Sequence, residues 1–127
     1  MEIGEMKPTA EVEYQIKVAD KDGNKLSPQP LKLTVRFMGV DRGIDAISTA
    51  EPRDPQDRVK KSDFNHAVIA IAIEAWDLNI KGVPILVNDE TKKLYVPHIC
   101  AAQTVDGNIV GYELIAFVMD RDNFLKN

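Results

Sequence analysis

Apolar and polar residues alternate over residues 11–18, with Val12, Tyr14, Ile16 and Val18 on one face and Glu11, Glu13, Gln15 and Lys17 on the other. A period of two marks a half-buried strand. A second alternation sets Leu31, Leu33, Val35 and Phe37 against Lys32, Thr34 and Arg36. Between them, Asp20-Lys21-Asp22-Gly23-Asn24 is dense in turn formers, and Pro28 and Pro30 are expected to keep the chain irregular. The two strands should pair antiparallel across a loop of about a dozen residues, long enough for a functional connection.

The pattern then changes. Asp41 can cap a short helix carrying Ile44, Ile47 and Ala50, and Glu51 to Lys61 reads as an exposed, mixed-charge loop. Ser62 or Asp63 is the expected cap of the strongest helix, Phe64 to about Leu78. This helix is apolar except at Asn65, His66, Glu74 and Asp77, which makes it the expected centre of the fold. Lys81-Gly82 and Pro84 mark a turn, and Ile85-Leu86-Val87 an apolar triplet. Asn88 or Asp89 could cap one helical turn through Leu94, and Pro97 suits the first position of another helix running to about Gln103. For Asn108 to about Asp120 two readings stay open. Asp106-Gly107 is a hairpin signal, whereas Val110, Leu114, Phe117 and Val118 share a helical face, and the helix is favoured.

Together these elements predict an α+β fold: an N-terminal antiparallel β pair packed on a central buried helix, with further C-terminal helices. Residues 1–10 read as a flexible leader and 11–127 as one domain, with Val12, Ile16, Leu33, Val35, Val68, Ile71 and Ala72 buried together.

Composition narrows the class. At 127 residues, 44% hydrophobic and 28% charged, the chain has the size and make-up of one globular domain able to bury a core. Cys100 is the single cysteine, which excludes an internal disulfide and fits a reducing compartment. The N-terminal residues lack the basic start and apolar centre of a signal peptide, so the cytoplasm is the expected location. The longest apolar run, Ala67 to Ile73, is far short of the ~20 residues of a membrane span, so no membrane partner is expected. The net charge of −4 argues against a general nucleic-acid binder.

No catalytic constellation emerges, and neither a cofactor nor a metal is expected. His66, His98 and Cys100 are the available soft or borderline ligands. His98 and Cys100 would share a face of a strand but diverge on a helix. The setting Ile99-Cys100-Ala101-Ala102 favours a structural cysteine over a nucleophile. Among the carboxylate pairs, Asp41 with Asp45 is one, and Asp120 and Asp122 read as solvated. Glu74 and Asp77 read as the solvent stripe of the central helix, although they interrupt an apolar run. Trp76 reads as a core anchor with its N–H satisfied at the rim, against the alternative of an exposed binding patch.

Trp76-Asp77-Leu78, Gly82-Val83-Pro84, Ile85-Leu86-Val87, Asn88-Asp89-Glu90 and Leu94-Tyr95-Val96-Pro97 follow one another in an order and spacing that resembles the phage tail assembly chaperones and related small tail proteins. The resemblance covers about 30 residues. The long loop after the first strand and the segment at Asp106-Gly107 depart from it. It implies a non-enzymatic protein-binding module that engages tail components or the tape measure protein in the bacterial host cytoplasm, and it is compatible with a homo-oligomer. The partner surface is then expected at Trp76, Leu78, Pro84 and Ile85, where a helix end and an apolar triplet crowd together. Two other classes fit the same residues: a phage or mobile-element protein that binds and inhibits a host factor, and a small ligand-binding domain or enzyme with a scattered site around Glu74 or His98.

Overall fold

The computed structural model describes residues 4–19, 26–39 and 58–126. The fold is α+β. Strands β1 (Ala10–Ala19), β2 (Leu26–Val35) and β3 (Ile73–Trp76) form an antiparallel sheet in the order β1-β2-β3. A separate two-stranded sheet joins β4 (Asn79–Ile80) to β5 (Val83–Pro84). Three helices are seen among the described residues, α1 (Arg58–Ala72), α2 (Asp89–Ala101) and α3 (Val110–Met119), followed by a 3-10 turn at Arg121–Phe124.

The β1–β2 pair forms as its alternation requires, with ten residue pairs from Ala10↔Val35 to Ala19↔Leu26. Val12, Tyr14, Ile16 and Val18 are half-buried, while Leu31, Leu33 and Val35 are fully buried. β2 starts five residues before the expected Leu31, and Pro28 and Pro30 lie inside it rather than in irregular chain. The ladder explains why they are tolerated. Even-numbered residues of β2, and Arg36 just after it, direct their backbone away from β1: Asp77 N donates to Lys32 O and Arg36 N to Ala72 O. Pro28 and Pro30 share that parity but lie beyond the residues that β3 pairs, so no ladder bond needs their missing N–H. Opposite them, Gln15 and Lys17 point their backbone the other way, where Lys17 N donates to Gln103 O and Val105 N to Gln15 O.

The central helix does not run from Phe64 to Leu78. It begins at Arg58, inside the stretch expected as a loop, and gives way to β3 at Ile73 without a connecting turn. Helix propensity is a weak prior. Here the open edge of β2 takes the chain instead, pairing Leu33 with Trp76, Thr34 with Ala75 and Val35 with Ile73. Glu74 is the extra residue of a β-bulge in this ladder. Ile71 is also not core, being 38% exposed. The buried face of α1 is Val68, Ile69 and Ala72. At 3.6 residues per turn, Ile71 lies roughly 100° from its centre. Val12 and Ile16 pack against the core without being fully buried.

Two further expectations are corrected. Residues 89–101 are one helix, not two, capped by Asn88, whose side chain accepts from Thr91 N while the Thr91 hydroxyl accepts from Asn88 N. Pro97 sits inside this helix. Residues 4–9, expected as a loose leader, are tied to the other end of the chain: Lys7 N donates to Phe124 O, Lys126 N to Glu5 O, and Met6 bridges Leu125.

The final segment realises both of its readings in turn. Gln103 bridges Ile109 around the Asp106-Gly107 turn, with Gly107 at φ 90, and α3 follows at once. The core gathers β2, α1, α2 and α3 with Met38 and Phe124, and Phe124 stacks at an angle on Phe37 and Phe117. Where α2 meets α3, a Cβ on Gly111 would lie 2.9 Å from the Cys100 carbonyl oxygen, so a glycine is needed for this approach. No helix among the described residues is long and apolar enough to cross a membrane. The helix expected at Asp41–Ala50, the strand-linking turn at 20–25 and the charged residues 51–57 lie outside the described residues.

Candidate functional site

The expected partner-binding residues surround the β4–β5 hairpin. Asn79 pairs with Pro84 and Ile80 with Val83 around a two-residue turn, Lys81-Gly82. Both turn residues have positive φ, 50 at Lys81 and 83 at Gly82, the geometry of a hairpin turn matched to strand twist. The Asn79 side-chain oxygen accepts from Gly82 N at 3.1 Å and closes the turn.

Trp76 holds the hairpin's base. Its indole N–H donates to Ile85 O at 2.7 Å, Ile85 N donates to Leu78 O at 2.9 Å, and its ring meets Tyr95 edge-on at 6.3 Å. Beyond the hairpin, the Thr91 hydroxyl donates to Leu86 O at 2.6 Å, fastening the apolar triplet to the start of α2. The hairpin is therefore tied at both ends.

The four expected residues divide. Trp76 and Leu78 are half-buried and pack against the core, Ile85 is half-buried, and Pro84 is exposed. Three of their apolar neighbours face solvent: Ile80 at 56%, Val83 at 67% and Leu86 at 76%. Sequence reasoning placed Leu86 in the triplet but singled out none of these three. The available signal was the Lys-Gly pair flanked by Ile80 and Val83. In a two-residue hairpin those flanking positions face each other, and nothing in the sequence supplies a layer to cover them.

The chemical candidates have structural partners. Glu74, re-aimed by the bulge, forms an ion pair with Arg36. Asp77 is not a helix stripe. Its carboxylate accepts from Lys32 N at 3.0 Å and extends the β2–β3 ladder by one residue. Asp120 caps the 3-10 turn by accepting from Asp122 N at 3.0 Å. His98 is exposed while Cys100 is buried, so the helix separates them. Burial pushes the Cys100 thiol up to about 12, which keeps it un-ionised and poorly nucleophilic. Tyr14 is also raised to about 12, chiefly by burial and then by the neighbouring charge of Glu113.

Open grooves on the surface of the described residues include two. One, of about 600 Å³, lies on the sheet between Glu11, Glu13, Lys32, Thr34, Ala75 and Asp77. The other, of about 430 Å³, lies between α1 and α2, over Ala67, Ala70, Val96 and Pro97 with His66, Lys92 and Lys93 beside them. Neither groove is lined by Glu74 or His98. Among the described residues, no group of three or more His, Cys, Asp or Glu could hold a metal ion.

Comparison with protein families, curated proteins and solved structures returned no match.

Proposed function

We propose that this chain is a non-enzymatic protein-binding module that serves phage tail assembly in the bacterial cytoplasm, holding a tail component or the tape measure protein before it is incorporated. The β4–β5 hairpin and the triplet after it are its contact surface. One observation carries this reading: Ile80, Val83 and Leu86 present large apolar side chains to solvent at 56%, 67% and 76% exposure on a tab anchored by Trp76 and Thr91. Grouped exposed apolar residues mark partner sites more often than chance surface. A hairpin fixed at both ends loses little freedom on binding, which favours affinity. The tail-protein identity rests on the resemblance of residues 70–97.

The test is co-expression with the tail and tape measure proteins of a phage genome that encodes the chain. The wild-type protein should co-purify with one of them. Val83→Asp or Leu86→Asp should abolish the complex while leaving the circular dichroism spectrum unchanged and the unfolding free energy within about 0.5 kcal/mol of wild type, as expected of exposed sites. A complex that survives both substitutions would place the contact elsewhere.

A further inference from the structure

The groove between α1 and α2 is a second surface, separate from the hairpin. We propose that it seats an acidic amphipathic helix of the protein partner, so the inference rests on the reading of this chain as a protein-binding module.

Three observations point to this occupant. The floor is small and apolar: Ala67 and Ala70 from α1 face Val96 and Pro97 from α2, leaving about 430 Å³ open along the surface. Small residues let a third helix approach closely, as helix-in-groove recognition requires. An open trough suits a helix better than a free small molecule, whose sites bury most of the ligand.

The second observation is charge. In a chain of net charge −4, two consecutive lysines, Lys92 and Lys93, stand on this groove. Asp89 also lines it, but it lies in the first turn of α2, where its negative charge complements the helix N-terminus. The groove thus offers two ammonium groups to acidic side chains flanking an apolar helical stripe.

The third is a backbone acceptor. Proline has no N–H, so Pro97 withholds from Lys93 O the hydrogen bond that position 97 of a helix would otherwise supply. Lys93 and Pro97 both line the groove. A side-chain donor such as glutamine on the incoming helix could take the place of that missing N–H.

The probe is a fluorescent peptide of about 18 residues, long enough to form a helix. It carries leucine or alanine at i, i+3, i+4 and i+7, one glutamine on that face and glutamates on both flanks. A matched peptide carries lysine in place of each glutamate. The glutamate peptide should bind the full chain, shift the amide resonances of residues 66–70 and 89–96, and weaken as salt is raised. Lys92→Glu with Lys93→Glu should weaken it at least tenfold and give the lysine peptide the advantage. Ala70→Leu, which fills the floor, should also weaken it at least tenfold, and circular dichroism should show each variant folded. Equal binding of the two peptides, no binding, or shifts confined to the hairpin would overturn the proposal. Leu86→Asp should leave peptide binding unchanged. Because that variant is read separately against the native complex, loss of either surface leaves the other result interpretable.

Discussion

Two hairpin-like pairs in this molecule use apolar residues in opposite ways. β1 and β2 pair over ten residues and turn one face into the core, where Leu31, Leu33 and Val35 are almost fully buried. β4 and β5 pair over two residues, and Ile80 and Val83 stay largely in solvent. The long pair is stabilised by what it covers. A two-residue hairpin has too little ladder to stand alone, so the short one relies on positive-φ turn geometry, the Asn79–Gly82 bond and the Trp76 tether. Apolar residues thus build the interior in one region and are displayed in the other.

The contrast is broken most strongly by substitution in the interior. Leu114 is fully buried on α3 within the cluster that also holds Leu33 and Val35. Leu114→Ala should cost about 2–5 kcal/mol in chemical denaturation, through lost transfer energy and the cavity left behind. Val83→Ala, on the displayed side, should change stability by less than about 0.5 kcal/mol. If the two variants lost comparable stability, Val83 would be a core residue and the displayed surface would not exist.

Trp76 links the regions, since it packs on the core and also donates to Ile85 O. Trp76→Phe keeps an aromatic ring but removes the donor, leaving the half-buried Ile85 carbonyl unpaired at a cost of about 1–3 kcal/mol. Amide exchange should show the loss locally. The Ile85 N–H, bonded to Leu78 O, should exchange much faster while amides in β2 keep most of their protection. Uniform acceleration across both regions would mean that the short hairpin opens only with the whole fold.

Legibility in the sequence follows the same division. The alternations of β1 and β2 and the helical face of α3 were readable because each pattern matches the burial of one face. The α+β class followed from them. Helix α1 was recognised but misplaced at both ends. Ile73-Glu74-Ala75-Trp76 continues a helical composition, and only the free edge of β2, a tertiary feature, turns it into a strand. Pro28, Pro30 and Pro97 were read by rules that hold for a typical strand or helix. At 28 and 30 the ladder leaves the N–H position unused, and at 97 the helix continues without that bond. At the candidate site, the crowding near Trp76 marks the segment that folds as the β4–β5 hairpin and the triplet after it. Which side chains face inward depends on the Lys81-Gly82 turn, whose backbone geometry the composition did not reveal.

That turn supplies the finer tests. Gly82 sits at φ 83 with open space around its Cα, so Gly82→Ala meets no clash and tests backbone conformation alone. It should cost about 1 kcal/mol, the left-handed penalty for an L-residue, measured as a shift in denaturation midpoint. No change would mean that the turn readily adopts another geometry.

Lys81 gives the smallest and most specific effect. It has φ 50, in the left-handed region, and is the non-glycine residue with positive φ among those described. Lysine has no side-chain device for that conformation, whereas asparagine tolerates it by bonding locally to its own backbone, and Asn-Gly is the preferred pair for this turn. Lys81→Asn should therefore raise stability by a few tenths of a kcal/mol, up to about 0.5. Its clearer signature is local, since slower exchange at Ile85 N–H should exceed any change in β1 or β2. Because Lys81 is not one of the displayed apolar residues, the variant should bind the native partner at least as tightly as wild type. Tighter hairpin closure accompanied by weaker binding would show that the partner needs the hairpin open, and the displayed surface would then be the resting face of a mobile element rather than the contact itself.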